Sequence, residues 1–263
     1  MKNRKRIFWI IVITILVMAG VVGTNIVKRN TYIESVSVVL QKKKEAFITE
    51  KEILHIVEKK IGKIQGKQIK DLDVGDIETL LLQNPYLSKA DFHTGITGKV
   101  VITVRQREPV VQIFNVFGEH FWLDSVGYYM PPSVHAIPNT IVANGNIPCK
   151  VSEIANGHIN TDNMEAKNKC SSILSKILYI ALSIEKDSLL CCQIDQIYVN
   201  SPRDFHLTPK IGSGIIEIGD VENLRQKLYK LKHLYSEGFL YDGWDRYRKI
   251  NLEFKDQVVC TKK

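Results

Sequence analysis

The sequence is poor in the short patterns by which catalytic and metal sites are recognised. Its seven histidines are scattered, without the HExxH spacing of zinc proteases or the paired cysteines and histidines of zinc sites. The nucleophile pattern GxSxG is also absent. Ser183 and Lys186 have SxxK spacing, but the S-D-N and K-T-G patterns of penicillin-binding proteins do not accompany it. The sequence therefore predicts no enzyme, and it predicts no metal or cofactor site.

Cysteine is scarce. The five cysteines are Cys149, Cys170, Cys191, Cys192 and Cys260, an odd number without a CxxC pair. A small domain stapled by disulfides would be shorter and denser in cysteine. We expect most of them to be buried as small hydrophobic residues. A bond between Cys149 and Cys170 is an alternative that the spacing leaves open, and Cys191 and Cys192 are predicted to point to opposite sides of a strand.

Charge and hydrophobicity are those of an ordinary globular chain. Hydrophobic residues make up 44% of the sequence and charged residues 24%. The formal net charge is +8, and four cations among residues 1–6 contribute half of it. A basic excess can attract nucleic acid, anionic lipids or cell-wall polymers. A solvated surface without a ligand is the simplest interpretation of the remainder.

A long apolar run at residues 7–27 follows the basic tail of residues 1–6. At about 1.5 Å of rise per residue, a helix of this length spans about 30 Å, the thickness of a bilayer core. The cations before the run outnumber Lys28 and Arg29 after it, which predicts a cytoplasmic N-terminus. A cleaved signal peptide is the alternative, but its apolar region would be about 7–15 residues long and end in small residues. We predict an uncleaved, single-pass anchor with the bulk of the chain outside the cytoplasm.

Residues 31–108 have the pattern of one strand, two helices and two further strands. Thr49 and Glu52 have the spacing of a capping box at the start of the first helix, and Gly62 is placed to end it. The second helix is expected to begin near Asp73. A mixed three-stranded sheet covered on one face by two helices would bury the apolar positions of all five elements.

Residues 109–260 are strand-rich and predict a second domain, a mixed sheet with flanking helices. A long amphipathic helix is expected at about residues 162–186, with three strands after it. Asp220 is predicted to cap the last helix. The sequence then predicts a strand at residues 250–254 and a closing stretch at residues 257–260. The chain as a whole is therefore predicted to be an α+β protein of two domains behind a transmembrane helix.

Several short segments add to the basic tail and the anchor. They are Asn84-Pro85-Tyr86 with Lys89-Ala90, Gln106-Arg107-Glu108-Pro109-Val110-Val111, Leu123-Asp124-Ser125 with Gly127, Met130-Pro131, Asn251-Leu252 and Gln257-Val258-Val259-Cys260. The Arg-Glu-Pro sequence between the two predicted domains is the most specific of them. Together these landmarks resemble the bacterial cell-division family FtsQ/DivIB, most closely its Bacteroidetes-type members.

The resemblance implies a POTRA domain at residues 31–108 and a β-domain at residues 109–260. In the family, the anchor and POTRA domain help recruitment by upstream division proteins, and the β-domain binds the FtsB/FtsL pair and influences septal peptidoglycan synthesis. It therefore implies a non-catalytic scaffold without cofactors. It also implies an inner-membrane protein with a periplasmic bulk at the division septum, and no nucleic-acid partner.

The partner-binding residues that the resemblance implies lie near the end of the sequence, at Phe254, Val258, Val259 and Cys260. A last strand on an open sheet offers its backbone groups to an incoming strand, and these side chains would line pockets beside it. The alternative is that they only complete the core of their own domain. A charged residue in place of Val258 is predicted to abolish partner capture while the domain stays folded.

Four residues at the junction, Gln106, Arg107, Glu108 and Pro109, are predicted to lie between the domains. Arg105, Arg107 and Glu108 are expected to form a solvated or inter-domain ion-pair face. The alternative, which the resemblance supports, is that residues 106–108 fix the angle between the two domains. The rival function for the whole chain is an anchored POTRA-type binding module that serves assembly, lipid or cell wall. Its relatives usually carry repeated POTRA units, whereas this sequence shows one.

Overall fold

The computed structural model describes residues 9, 11–16, 18, 31–42, 45–95, 97–154, 157–159, 169–212, 214–239, 243 and 246–263. The predicted tail and most of the predicted anchor lie outside these residues. Residues 9, 11–16 and 18 are helical. Within the described ranges, none of the helices is both long enough and apolar enough to span a bilayer. Two compact units make up the chain, Met1–Arg107 and Glu108–Lys263.

The first unit contains the predicted three-stranded mixed sheet. Its strands stand in the order β1-β3-β2, and the central strand β3 is parallel to β1 and antiparallel to β2. The elements are β1 (Ser35–Gln41), α1 (Glu50–Ile61), α2 (Val74–Leu82), β2 (Leu87–Thr94) and β3 (Lys99–Gln106). Alternate residues of β3 are buried in one core with the inner faces of both helices.

Local capping explains where the two helices of the first unit begin and where the first of them ends. The Thr49 amide donates to Glu52 Oε2 at 2.8 Å, and the Glu52 amide donates to Thr49 Oγ1 at 3.3 Å. Gly62 ends α1 with a φ of +74°, a conformation that glycine adopts without strain. Asp73 Oδ1 accepts the amide of Asp76 at 3.1 Å and so begins α2. The predicted capping box, stop and second start are confirmed.

The second unit is built on a nine-stranded mixed sheet in the order β12-β11-β10-β9-β8-β7-β4-β5-β6. The pairs β4–β7, β7–β8 and β10–β11 are parallel, and the others are antiparallel. The strands are β4 (Pro109–Phe114), β5 (His120–Asp124), β6 (Tyr129–Met130), β7 (Ile141–Gly145), β8 (Ile194–Ser201), β9 (Asp204–Pro209), β10 (Ile215–Gly219), β11 (Tyr247–Asn251) and β12 (Val259–Lys262).

Helices supply the rest of the second core. They are α3 (Lys169–Glu185), α4 (Leu190–Gln193) and α5 (Leu224–His233), and α5 continues into one π-turn at Leu234–Gly238. α3 packs against β4, β8 and α5. The predicted apolar face of α3 is buried throughout, at Ile173, Leu174, Ile177, Leu178, Ala181 and Ile184. The predicted start of this helix near residue 162 lies outside the described residues.

The prediction that Asp220 caps the last helix is wrong. Asp220 Oδ1 accepts a hydrogen bond from Lys176 Nζ at 2.7 Å and from the Val221 amide at 2.8 Å. The helix starts four residues later, behind Asn223 in a left-handed conformation with a φ of +53°. The carboxylate is therefore used for a distant lysine of α3, a partner that sequence spacing does not show.

Two strand predictions near cysteine and near the final turn are also wrong. Cys191 and Cys192 lie in the helix α4, because Asp187 accepts the amides of Leu189 and Leu190 and so starts a helical turn there. Both cysteines are exposed. The strand expected at residues 250–254 ends at Asn251.

Candidate functional site

Strand β12 forms one edge of the nine-stranded sheet. It pairs antiparallel with β11, with Cys260 opposite Ile250 and Val259 opposite Asn251. Within the described part of the chain, no strand pairs with its other side. A strand in this position presents a row of backbone N–H and C=O groups to which an extended segment of another protein can add.

The side chains of the final hairpin divide between two environments. Val258 and Cys260 are half-buried and pack against the large core, and burial raises the pKa of the Cys260 thiol. Val259 lies between them and is 40% exposed. Phe254 lies in the turn before β12 and is 48% exposed. Val258 and Cys260 therefore pack into their own domain, as the alternative interpretation of these residues predicts. Val259 and Phe254 are exposed and available to a partner.

The turn between β11 and β12 is tied to α5 by a lysine that sequence reasoning missed. Lys230 Nζ donates to the carbonyl oxygens of Leu252 at 3.1 Å and of Phe254, and it lies 3.5 Å and 3.4 Å from those of Lys255 and Gln257. Burial lowers the pKa of Lys230, and the negative charge of Asp256 opposes that shift. No spacing rule links a helix residue to carbonyls more than twenty positions away, so the sequence carried no signal for it.

An open groove runs beside the hairpin along α5. One part of about 510 Å³ is lined by Val258 together with Tyr229, His233 and Leu234. Tyr229 is 62% exposed and stands edge-on to His233, with ring centroids 4.4 Å apart. An exposed aromatic ring thus lies on the same groove as the hairpin, in an environment suited to protein contact.

The predicted junction residues make contacts within their own units. Gln106 is buried, accepts the Phe47 amide at 2.7 Å and donates to the Glu45 carbonyl at 2.9 Å. The Arg107 amide donates to a carbonyl of the first unit at 2.8 Å, whereas Glu108 and Pro109 belong to the second unit, with Pro109 opening β4. Their predicted role between the domains stays a prediction.

The candidate catalytic pattern at Ser183 has a structural explanation. The Ser183 hydroxyl donates to the Tyr179 carbonyl one turn earlier in α3, at 2.7 Å. Cys149 and Cys170 are both buried and are not joined by a disulfide bond, and a hydrogen bond with Cys170 together with burial raises the pKa of Cys149. Among the described residues, no three His, Cys, Asp or Glu side chains are grouped so as to hold a metal ion.

These features define an α+β protein in which a small two-helix domain is followed in sequence by a large mixed sheet. Residues 31–105 match the family model described as a POTRA-like domain, and residues 108–261 match the one described as FtsQ/DivIB, C-terminal related. The second match covers more than half of the 263 residues, and the chain therefore belongs to the FtsQ/DivIB family. A search of curated proteins found no match.

Family membership indicates a role in cell division, and both matched families are generally non-catalytic. The predicted family and the predicted combination of a POTRA-like domain with a large sheet domain are confirmed. The candidate site is the edge formed by β12, and three of its four residues, Val259 to Thr261, lie inside the matched FtsQ/DivIB region.

Proposed function

We propose that this chain is a non-catalytic scaffold of the division machinery that captures a protein pair of the FtsB/FtsL type by strand addition to β12. The observation that carries the proposal is the position of β12 at the edge of the sheet, at the end of the region that matches the family. Main-chain hydrogen bonds would supply affinity, and the exposed side chains of Val259 and Phe254 would supply specificity.

The scaffold is proposed to act from the inner membrane, with residues 7–27 as a single-pass anchor, residues 1–6 in the cytoplasm and the two domains in the periplasm. The row of exposed apolar side chains that includes Trp9, Ile11 and Ile15 supports an apolar environment for this segment. The anchor and the POTRA-like domain would receive upstream division proteins and bring the chain to the septum. The second domain would then link them to septal peptidoglycan synthesis.

The edge is tested by a charge at its exposed valine. Val259→Lys places an ammonium where the incoming strand would pack, and we expect the dissociation constant for the FtsB/FtsL-type pair to rise by about tenfold or more. Val134→Lys is the matched control, because Val134 is 96% exposed in a loop of the same unit. Both variants should keep the wild-type thermal transition. Wild-type affinity of the Val259→Lys chain would contradict strand addition at this edge.

Val258 is a less suitable probe than its neighbour. Because Val258 packs against the large core, a charge there would also weaken the domain. The earlier expectation that a charged Val258 abolishes capture in a folded domain is therefore best tested together with Val259→Lys and with a measurement of folding.

The division role is tested by the position of the full chain in the cell. A fluorescent protein fused to the N-terminus should form a band at the division site, and depletion of the chain should produce filaments. A uniform membrane signal with normal division would instead favour an anchored module that binds assembly factors, lipid or cell wall.

A further inference from the structure

The turn between β11 and β12 has little support of its own. Its residues 253–257 are all exposed, and the described structure assigns no helix or strand to them. Asn251 Oδ1 accepts the Glu253 amide at 2.8 Å, which shapes the first part of the turn. A segment with so few buried contacts opens locally at low cost unless another element holds it.

The side chain of Lys230 holds the β11–β12 turn in place. Its ammonium group lies among carbonyl oxygens from Leu252 to Gln257 and so spans the whole turn. An ammonium has three protons, and each bond from a charged donor to a carbonyl is stronger than a neutral one. Lys230 is itself anchored, because α5 buries Leu228 and Leu231 on either side of it. The carbonyls are therefore bound to a rigid part of the core.

The turn determines where β12 begins. Val258 and Val259 follow it directly, and β12 contains only four residues. Such a short edge strand has few backbone bonds of its own with which to fix its position, so its register depends on the turn. From these contacts we infer that Lys230 is a positioning residue, which holds the β11–β12 turn so that β12 is ordered before its partner arrives.

This inference rests on the proposed function of the β12 edge. Loss of the Lys230 ammonium leaves the side-chain groups of the edge in place but lowers the fraction of molecules in which the edge is ordered. The apparent dissociation constant rises in inverse proportion to that fraction. If the ordered fraction falls to about one tenth, the apparent affinity falls about tenfold, mainly through slower association.

Lys230→Met removes the charge and its donors while keeping most of the apolar stem. Lys227→Met is a matched control on the same helix. Lys227 Nζ donates to the carbonyls of Ile218 at 2.7 Å and Asp220 at 2.8 Å, so its loss removes a similar set of bonds from a different segment.

The experiment measures three quantities on the full chain: amide hydrogen exchange, the thermal transition, and the rate constants for the FtsB/FtsL-type pair. For Lys230→Met we expect exchange about tenfold faster, confined to residues 252–262, with association slowed about tenfold and a nearly unchanged transition. The charge of Glu253, at the start of that range, acts on Lys227, so Lys227→Met should leave exchange at residues 254–262 and the association rate as in wild type. A positioning role alone predicts this separation between association and global stability.

Three results would overturn the inference. They are unchanged exchange at residues 252–262 in Lys230→Met, unchanged association of Lys230→Met, and an equal loss of association in Lys227→Met. Val259→Lys separates this outcome from failure of the proposed function. If Val259→Lys weakens binding and Lys230→Met does not, the edge is the binding site and only the positioning role is wrong. If Val259→Lys binds normally, the proposed edge itself is wrong.

Discussion

Replacement of Asp220 by Asn is expected to destabilise the second domain more than replacement of its ion-pair partner Lys176 by Met. The Lys176 side chain is 9% exposed, and its Nζ lies 2.7 Å from Asp220 Oδ1 and 3.3 Å from the Pro202 carbonyl. Asp220 is less dependent on the pair, because its side chain is 20% exposed and also contacts the Val221 amide and Arg203. The two single variants therefore leave different charges behind.

The expected magnitudes follow from that asymmetry. Asp220→Asn keeps the shape of the side chain but leaves the buried ammonium of Lys176 without a counter-charge. Removal of one member of a buried pair costs about 3–5 kcal/mol, and because Asp220 is partly exposed the expected cost is about 3 kcal/mol. Lys176→Met leaves a carboxylate that water and two other donors still reach, at a cost of about 1 kcal/mol or less. In the double variant no buried ammonium remains. The loss of stability of the double variant should therefore be about 2 kcal/mol smaller than the sum of the losses in the two single variants.

Urea unfolding of residues 31–263, followed by tryptophan fluorescence, measures these free energies. Trp122 and Trp244 are the tryptophans within that range, and both belong to the second unit. The signal therefore reports the domain that contains the pair. An Asp220→Asn variant that is no less stable than Lys176→Met would refute the reasoning, since it would mean that the buried ammonium tolerates the loss of its counter-charge.

Three further predictions concern pH, a helix cap and a glycine. Burial alone would raise the pKa of Asp220, but hydrogen bonds from Lys176 and Val221 and the nearby cations lower it below its ordinary value. The stabilising contribution of Asp220 is therefore present above about pH 4 and lost as the pH falls further. The free energies of unfolding of wild type and Asp220→Asn should then converge in acid. A difference in unfolding free energy that stays constant with pH would contradict this. Thr49→Ala should cost about 1 kcal/mol and speed hydrogen exchange in α1; unchanged exchange would show that the capping box adds nothing. Gly145→Ala should cost at least about 2 kcal/mol, because an added Cβ would lie 2.5 Å from the Val199 carbonyl oxygen. Gly118→Ala, also at positive φ but with no atom within 4 Å, should cost clearly less in the same urea assay.

The elements predicted best are those whose determinants lie close together in sequence. The capping box of Thr49 and Glu52 involves groups three residues apart, and Gly62 ends the same helix through its own backbone conformation. The apolar face of α3 follows from helical periodicity alone. Asp220 shows the limit of this reasoning, because its carboxylate accepts hydrogen bonds from Lys176 of α3 and from the Val221 amide and does not cap α5.

The candidate site was predictable only in part. The sequence located the final hairpin and its four named residues, and their role in binding stays a prediction. It did not show which of them face the core. Val258 and Cys260 pack inward and Val259 does not, because pairing with β11 sets the orientation of each residue of the short strand.

What the sequence determined by itself is the order of elements and the caps of the first domain, together with the family, since these depend on neighbouring residues and on motifs that can be read along the chain. What only the tertiary structure decided is the pairing of groups far apart in the chain. Lys176 meets Asp220 across 44 positions, and Lys230 meets the β11–β12 turn across 22 to 27 positions. Neither contact has a spacing rule, because each depends on how helices and strands pack once the nine-stranded sheet has formed.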